Sequence, residues 1–178
     1  MKYKIHSTLK KFIGISMTVL QRTINFEENI QIEYEILDRP QIALIIPILN
    51  ESEIIVIHQY RAAINDFIWE FPAGKKIESE TIQQTALREL EEETGFKASK
   101  LLLIEEFYTA PHFTNEKVFV FVASELESTV QKLQKHEFIK VHTAELSSVK
   151  SLFDKKGSKD SKSLLALQLF LNKSPKYD

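Results

Sequence analysis

The chain has 178 residues, a net charge of -2, 43% hydrophobic residues and 27% charged ones, which fits one ordinary globular domain long enough to bury a substantial core. That near-neutral balance, with no basic stripe, excludes an electrostatic footprint for nucleic acid. The lack of cysteine excludes disulfides, thiolate zinc sites and cysteine nucleophiles together. The opening stretch MKYKIHSTLKKFIGISMTVL is basic and then apolar, as a signal peptide is, but Ser16 and Thr18 interrupt it and no small-residue cleavage site follows. It reads as strand, and the expectation is a cytoplasmic protein with no membrane partner. Residues 12–24 and 30–37 are rich in β-branched and aromatic residues, the second run alternating apolar with polar, and predict an antiparallel hairpin or short meander. Pro40 breaks the chain, so residues 1–40 form an N-terminal β extension and residues 41–178 the main domain. Residues 43–49 are a nearly continuous apolar run suited to a buried strand, Asn50 to Glu53 a turn, and residues 54–60 the adjacent strand. Arg61 closes that strand and is either a phosphate clamp or a surface arginine in a salt bridge.

From Gly74 to Phe96 the chain reads GKKIESETIQQTALRELEEETGF. Glu89 and Glu93 stand four apart on one helical stripe, with Glu92 about a third of a turn away. Like charges at that spacing cost a helix a few tenths of a kcal/mol per pair, an opposition that a hard divalent cation would offset. Ala86, Leu87 and Leu90 point roughly the other way, so the helix is expected to have a buried apolar face and an acidic face. Gly95 takes the left-handed position that ends it. Gly74, after Pro72 and Ala73, marks a loop whose backbone must come close to something, such as an ion.

These residues resemble a known family. Gly74, Glu80, Arg88-Glu89, the aliphatic Leu90, Glu92-Glu93, Gly95 and the apolar Phe96 fill all nine specified positions of the Nudix box over 23 residues. A solvated charged helix would account for the glutamates but not for Gly74 and Glu80 at those offsets. The resemblance implies a mixed α/β fold, an α/β/α sandwich with a mixed sheet. It implies a magnesium or manganese ion held by Glu89, Glu93 and the Ala73 backbone carbonyl, with Glu92 nearby as metal ligand and catalytic group. Arg88 is the catalytic-site arginine that orients these glutamates, and Glu80 is structural. Gln59-Tyr60-Arg61 followed by Glu70-Phe71-Pro72-Ala73-Gly74 is similar to the ADP-ribose pyrophosphatase branch, which places Arg61 and Glu70 at the substrate.

Beyond the box, residues 101–108 and 117–123 predict strands around a loop carrying Pro111, His112 and Glu116. Pro111 lies 15 residues past Phe96. As a residue it is a turn former; in the resembling branch a proline at about that distance accompanies ADP-ribose hydrolysis, and Glu116 matches a glutamate that binds the distal ribose. His112 replaces the glycine usual there. Residues 124–136 are polar and predict a loop or short hairpin. Glu137 stands at the junction with the strand that follows and is either a solvated carboxylate or, as the resemblance implies, the general base. Two helices are predicted, from Ala144 to Lys155 ending at Gly157, and from Ser161 to Lys173. His6, His58, His112, His136 and His142 are scattered and support no histidine metal cluster.

The activity implied is Mg-dependent hydrolysis of ADP-ribose to AMP and ribose 5-phosphate. The alternatives are another nucleoside diphosphate sugar such as GDP-mannose, which the box does not discriminate, and a non-catalytic module that senses a nucleotide. The resemblance also implies a homodimer in which the N-terminal strands of one subunit help to form the other's substrate site.

Overall fold

The structure is a computed structural model that describes residues 2–15, 17–27, 30–154 and 159–173. Two compact units emerge, Met1–Gln41 with Tyr108–Lys117, and Ile42–Phe107 with Val118–Asp178. In the first unit β1 (Tyr3–Ile13), β2 (Thr18–Phe26) and β3 (Gln31–Asp38) form an antiparallel meander. Residues 12–24 hold the end of β1 and most of β2, between which the Gly14 N–H donates to the Met17 carbonyl at 2.8 Å. β1 falls in the opening stretch that reads as strand, and it is exposed along nearly its whole length. Tyr3, Ile5, Leu9, Phe12 and Ile13 are among its exposed large side chains. Residues 108–117 dock on the end of β3: the Leu37 N–H donates to the Phe113 carbonyl and the Thr114 hydroxyl to the Leu37 carbonyl, both at 2.8 Å.

The second unit is built on β4 (Ile42–Pro47), whose six residues are all buried. Its side chains alternate between two covering layers, as period-two geometry requires. Ile42, Leu44 and Ile46 pack with Val118, Val120 and Val122 of β9 (Lys117–Ser128) against Val149 and Phe153 of α2 (Leu146–Phe153) and Ala166, Leu167 and Phe170 of α3 (Ser161–Lys173). Ala43 and Ile45 pack on the other side with Phe121 and Ala123, against Ala86 and Leu90 of α1 (Ile82–Thr94). With β7 (Ala73–Lys75) and β8 (Phe96–Tyr108), the sheet runs β7-β4-β9-β8, with β4 parallel to β9 and antiparallel to β7. This is a mixed sheet between helical layers, the α/β/α arrangement that the motif implies.

β5 (Glu53–Arg61) does not join β4. It lies in a second, antiparallel sheet of order β10-β5-β6, with β6 (Asp66–Glu70) and β10 (Ile139–Glu145). The expectation of neighbouring strands fails because two buried apolar runs do not say which partner each takes. The Asn50 carboxamide accepts from the Ser52 and Glu53 N–H groups at 2.9 and 3.0 Å, and this turn leads the chain from one sheet to the other. Residues 124–136 are not all loop: β9 continues to Ser128, with Leu126 packed towards α1. The helix expected from Ala144 starts at Leu146, because Ala144 pairs with Ile54 in β10 and the Leu146 N–H donates to Ser52. Gly157, its expected terminator, lies outside the described residues. Among the described residues no helix is long and apolar enough to cross a membrane.

α3 begins with Asp160, whose Oδ2 accepts from the Ser163 N–H at 2.9 Å and from the Ser163 hydroxyl at 2.8 Å, an N-cap geometry. The Ser163 Oγ accepts in turn from the Phe71 N–H at 3.0 Å, so the cap fixes the strand that leads into the motif. Burial would push the Asp160 carboxyl up, but Lys162 at 2.8 Å and the Ser163 donors hold it below the usual carboxylate range. Asp160→Ala is expected to cost about 1–2 kcal/mol at neutral pH. Because the folded-state value is depressed, that contribution is present above the unfolded value of about 4 and is lost as pH falls through the folded one. Chemical denaturation of both proteins at pH 7 and near pH 3 checks it: the gap should shrink in acid, and a gap that does not change with pH rules the carboxylate out as its source.

Candidate active site

α1 presents the motif. Thr81 caps it with a reciprocal box, its hydroxyl accepting from the Gln84 N–H and the Gln84 side chain accepting from the Thr81 N–H. Gly95 ends it at φ 73°, donating its N–H to the Glu91 carbonyl. Between these caps the acidic stripe does not face solvent. Glu89 and Glu93 are 6% and 3% exposed, whereas Leu87 is 39% exposed. Ala86 and Leu90 are buried as expected, so the helix hides both an apolar stripe and the two carboxylates beside it.

Each buried carboxylate has a specific reason to be tolerated. The Ala73 N–H donates to Glu93 Oε2 at 2.9 Å, from a strand that pairs Ala73 with Leu44 of β4. Glu89 lies against Gly74, where an added Cβ would fall 1.7 Å from the Glu89 carboxyl carbon. The close approach made by Gly74 is therefore to a carboxylate. Arg88 donates at five points: Nε to Glu80 Oε1 at 2.7 Å, Nη1 to Glu89 Oε1 at 2.7 Å and Glu92 Oε2 at 3.0 Å, and Nη2 to Glu80 Oε2 at 3.1 Å and the Lys75 carbonyl at 3.2 Å. All the donors of a guanidinium are used, so this arginine orients carboxylates and has none left for a substrate. The Arg88 bonds also hold Glu80 below its usual range, helped by a Thr85 hydroxyl at 3.0 Å.

Electrostatics leave this corner short of positive charge. Burial pushes Glu89 up, and the Glu92 and Glu137 charges push it further against the pull of Arg88. Burial pushes Glu93 well above the carboxylate range, with Glu89 and Glu137 adding to the shift and the Ala73 N–H and Arg61 opposing it. Closely spaced carboxylate oxygens with raised proton affinity are the hard, anionic donor set that suits a divalent cation. Glu89, Glu93, the Ala73 carbonyl and Glu92 fit such an ion, although among the described residues no three acidic side chains converge as a preformed cage.

Arg61 sits at the end of β5, its Nε and Nη2 each 2.6 Å from an oxygen of Glu70, which is 1% exposed on the side chain. Burial disfavours the Arg61 charge, but the bidentate Glu70 carboxylate more than offsets this and raises its pKa. Glu70 is thus the partner that aims the arginine: Arg61 is salt-bridged, as one of its two readings had it, and it also feels the charge of Glu93. Glu137 lies on the segment after β9, where its Oε2 accepts from the Gln134 N–H at 2.7 Å. That segment is stitched to the end of α1 by Gln131 Nε2 to the Glu93 carbonyl at 2.7 Å and by the Lys132 N–H to the Glu92 carbonyl at 2.9 Å. These bonds satisfy carbonyls that a helix end leaves open, and they bring Glu137 within electrostatic range of Glu89 and Glu93. Nothing in the composition of residues 129–137 announces that role.

Pro111 and Glu116 belong to the other compact unit. There Glu116 pairs with Arg39 at 3.3 Å, and the Asn115 side chain accepts from the Arg39 N–H while donating to Asp38. His112 packs edge-on against Phe113. Gln59 was not singled out for a role; it is buried, with its Oε1 lacking a hydrogen-bond partner among the described residues, and its signal was its place two residues from Arg61 on the same strand face.

The family model for the NUDIX domain matches residues 38–168. The chain is 39% identical over 136 residues to an ADP-ribose pyrophosphatase of Bacillus subtilis (strain 168), covering 75% of this chain and 74% of that one. It is 35% identical, over the same shares, to a methanol dehydrogenase activator of Bacillus methanolicus. Among solved structures, one described as an ADP compounds hydrolase superposes with a TM-score of 0.84 at 23% identity, covering 97% of this chain and 94% of that one, a likeness of fold. Enzymes of the matched family generally use divalent metal ions, in keeping with the donor set above. With its motif complete and its carboxylates gathered around Arg88 and Ala73, the chain belongs to the Nudix family, as a pyrophosphohydrolase.

Proposed function

We propose that the protein hydrolyses the pyrophosphate bond of ADP-ribose, with magnesium, to AMP and ribose 5-phosphate. The observation that carries this is the buried Glu89 and Glu93 pair, held in place by the Ala73 N–H and Arg88, with the Arg61–Glu70 pair close enough to feel its charge. The substrate comes from the Bacillus subtilis relative, which matches three quarters of the chain. Magnesium held by Glu89, Glu93 and the Ala73 carbonyl, with Glu92 beside them, would neutralise the diphosphate and acidify a water molecule. The chain's own residues do the rest. Arg88 fixes the carboxylates, and Arg61, aimed by Glu70, offers its remaining N–H edge to a phosphate oxygen. Glu137 takes the proton as water attacks phosphorus, the bond from phosphorus to the bridging oxygen breaks, and that oxygen leaves on the other phosphate.

A substrate panel with magnesium or manganese tests this, using ADP-ribose, ADP-glucose, GDP-mannose, NADH and nucleoside triphosphates with products identified by chromatography. AMP released from ADP-ribose well ahead of the others is the expected result. Preference for another diphosphate sugar would reassign the substrate, and no turnover of any compound would favour a nucleotide-sensing module.

A further inference from the structure

Gln59 is 6% exposed, and its Oε1 has no hydrogen-bond partner among the described residues. A buried acceptor left open costs a protein free energy that an apolar side chain of the same shape would not, so its presence calls for a reason. Its surroundings supply one. Gln59 is paired with Ile139 on one side and Ile68 on the other, so it shares a sheet face with Ile57, Arg61 and Glu70. Arg61 follows it by two residues, and Glu137 precedes its cross-strand partner Ile139 by two. Both of those charges act on Glu93, and α1 packs against β10. Gln59 therefore lies beside Arg61 on one face of the sheet, at the pair where β10 begins just after Glu137.

We infer that the Gln59 carbonyl oxygen is a positioning acceptor for the pyrophosphohydrolase reaction, holding an O–H donor that arrives with the bound substrate. The inference rests on the hydrolytic reading given above. That donor is either a water at the diphosphate or a hydroxyl of the sugar beyond it, and the two make different predictions. A water is common to every substrate, whereas a hydroxyl depends on the sugar.

The test compares wild type with Gln59→Leu and Gln59→Met, two apolar shapes that remove the acceptor. Melting temperature is measured on the protein without metal or substrate, and kcat and KM are measured with ADP-ribose, ADP-glucose and GDP-mannose. We expect melting temperatures equal to or above wild type together with a loss of roughly 10- to 100-fold in kcat/KM. A water would show as a fall in kcat shared by all three substrates, and a sugar hydroxyl as a loss confined to some of them. Wild-type kinetics in both variants would overturn the inference, and so would a loss of activity that merely follows a drop in melting temperature. Failure of wild type to turn over any substrate would instead overturn the hydrolytic reading, and the inference with it.

Discussion

Glu93→Gln is expected to lower turnover by roughly three orders of magnitude while leaving the protein as stable as wild type or more so. The two halves of that expectation have one cause. Glu93 is buried beside Glu89, and burial with like-charge repulsion makes its ionised form expensive, which is why its pKa is pushed well up. Glutamine keeps the shape and keeps an oxygen for the Ala73 N–H, so the bond that fixes β7 to α1 survives. What it removes is the anionic oxygen that the proposed metal site calls for. A residue whose charge costs stability and whose removal costs function marks a site shaped for something other than folding. Steady-state AMP release and the melting temperature of the metal-free protein are the two readings. Near-normal turnover would remove Glu93 from the metal site, and a large drop in melting temperature would make the lost activity structural.

The same residue shows how far sequence alone could go. The spacing of Glu89, Glu92 and Glu93 established which side chains share a helical stripe, and Gly95 located the end of α1, whereas its start at the Thr81 cap went unread. Whether that stripe faced water was not in the spacing, because the burial of a charge is decided by partners remote in sequence. Here those partners are the backbone of Ala73, the absent side chain of Gly74 and the guanidinium of Arg88. Leu87, apolar and exposed, shows the converse error: an apolar residue on a helix need not find a core. The split of β4 and β5 between two sheets was equally out of reach, since a continuous apolar run reports burial and carries no record of its neighbours.

Within the site, what could be read early was the part with local signals. Arg61 drew notice as a charge at a strand end and Glu70 through the resembling motif, and the structure joins them into one bidentate pair. Glu137 drew notice as an isolated carboxylate. The bonds from Gln131 and Lys132 to α1 carbonyls that bring its segment to the helix involve ordinary polar residues in a stretch that looked like loop. Gln59 stood in the quoted motif without charge or assigned role, and only the accounting of buried polar atoms singles it out. Residues that act through position are in general less legible than residues that act through charge, because sequence records chemical type directly and location only through periodicity.

Gly74→Ala carries the second large expected effect, and it separates two reasons for a glycine. Gly95 is required by a left-handed backbone at φ 73°, whereas no such strain is recorded at Gly74. Its requirement is space. A Cβ there would stand 1.7 Å from the Glu89 carboxyl carbon and 1.9 Å from one of its oxygens, so one of the two must move. The backbone of residues 73–75 is tied to β4 by strand pairing, which makes the Glu89 side chain the part that yields. Swinging it away breaks its bond to Arg88 and turns its oxygen away from Glu93. The expected outcome is a stability cost of about 1–3 kcal/mol from overpacking, with activity reduced roughly 100-fold or more at saturating substrate. Raising the magnesium concentration should restore part of that activity, because the lesion lies in the geometry of a ligand that is still present. A variant that is destabilised but fully active at ordinary magnesium would show that Gly74 serves folding alone and that the position of Glu89 is irrelevant to the reaction.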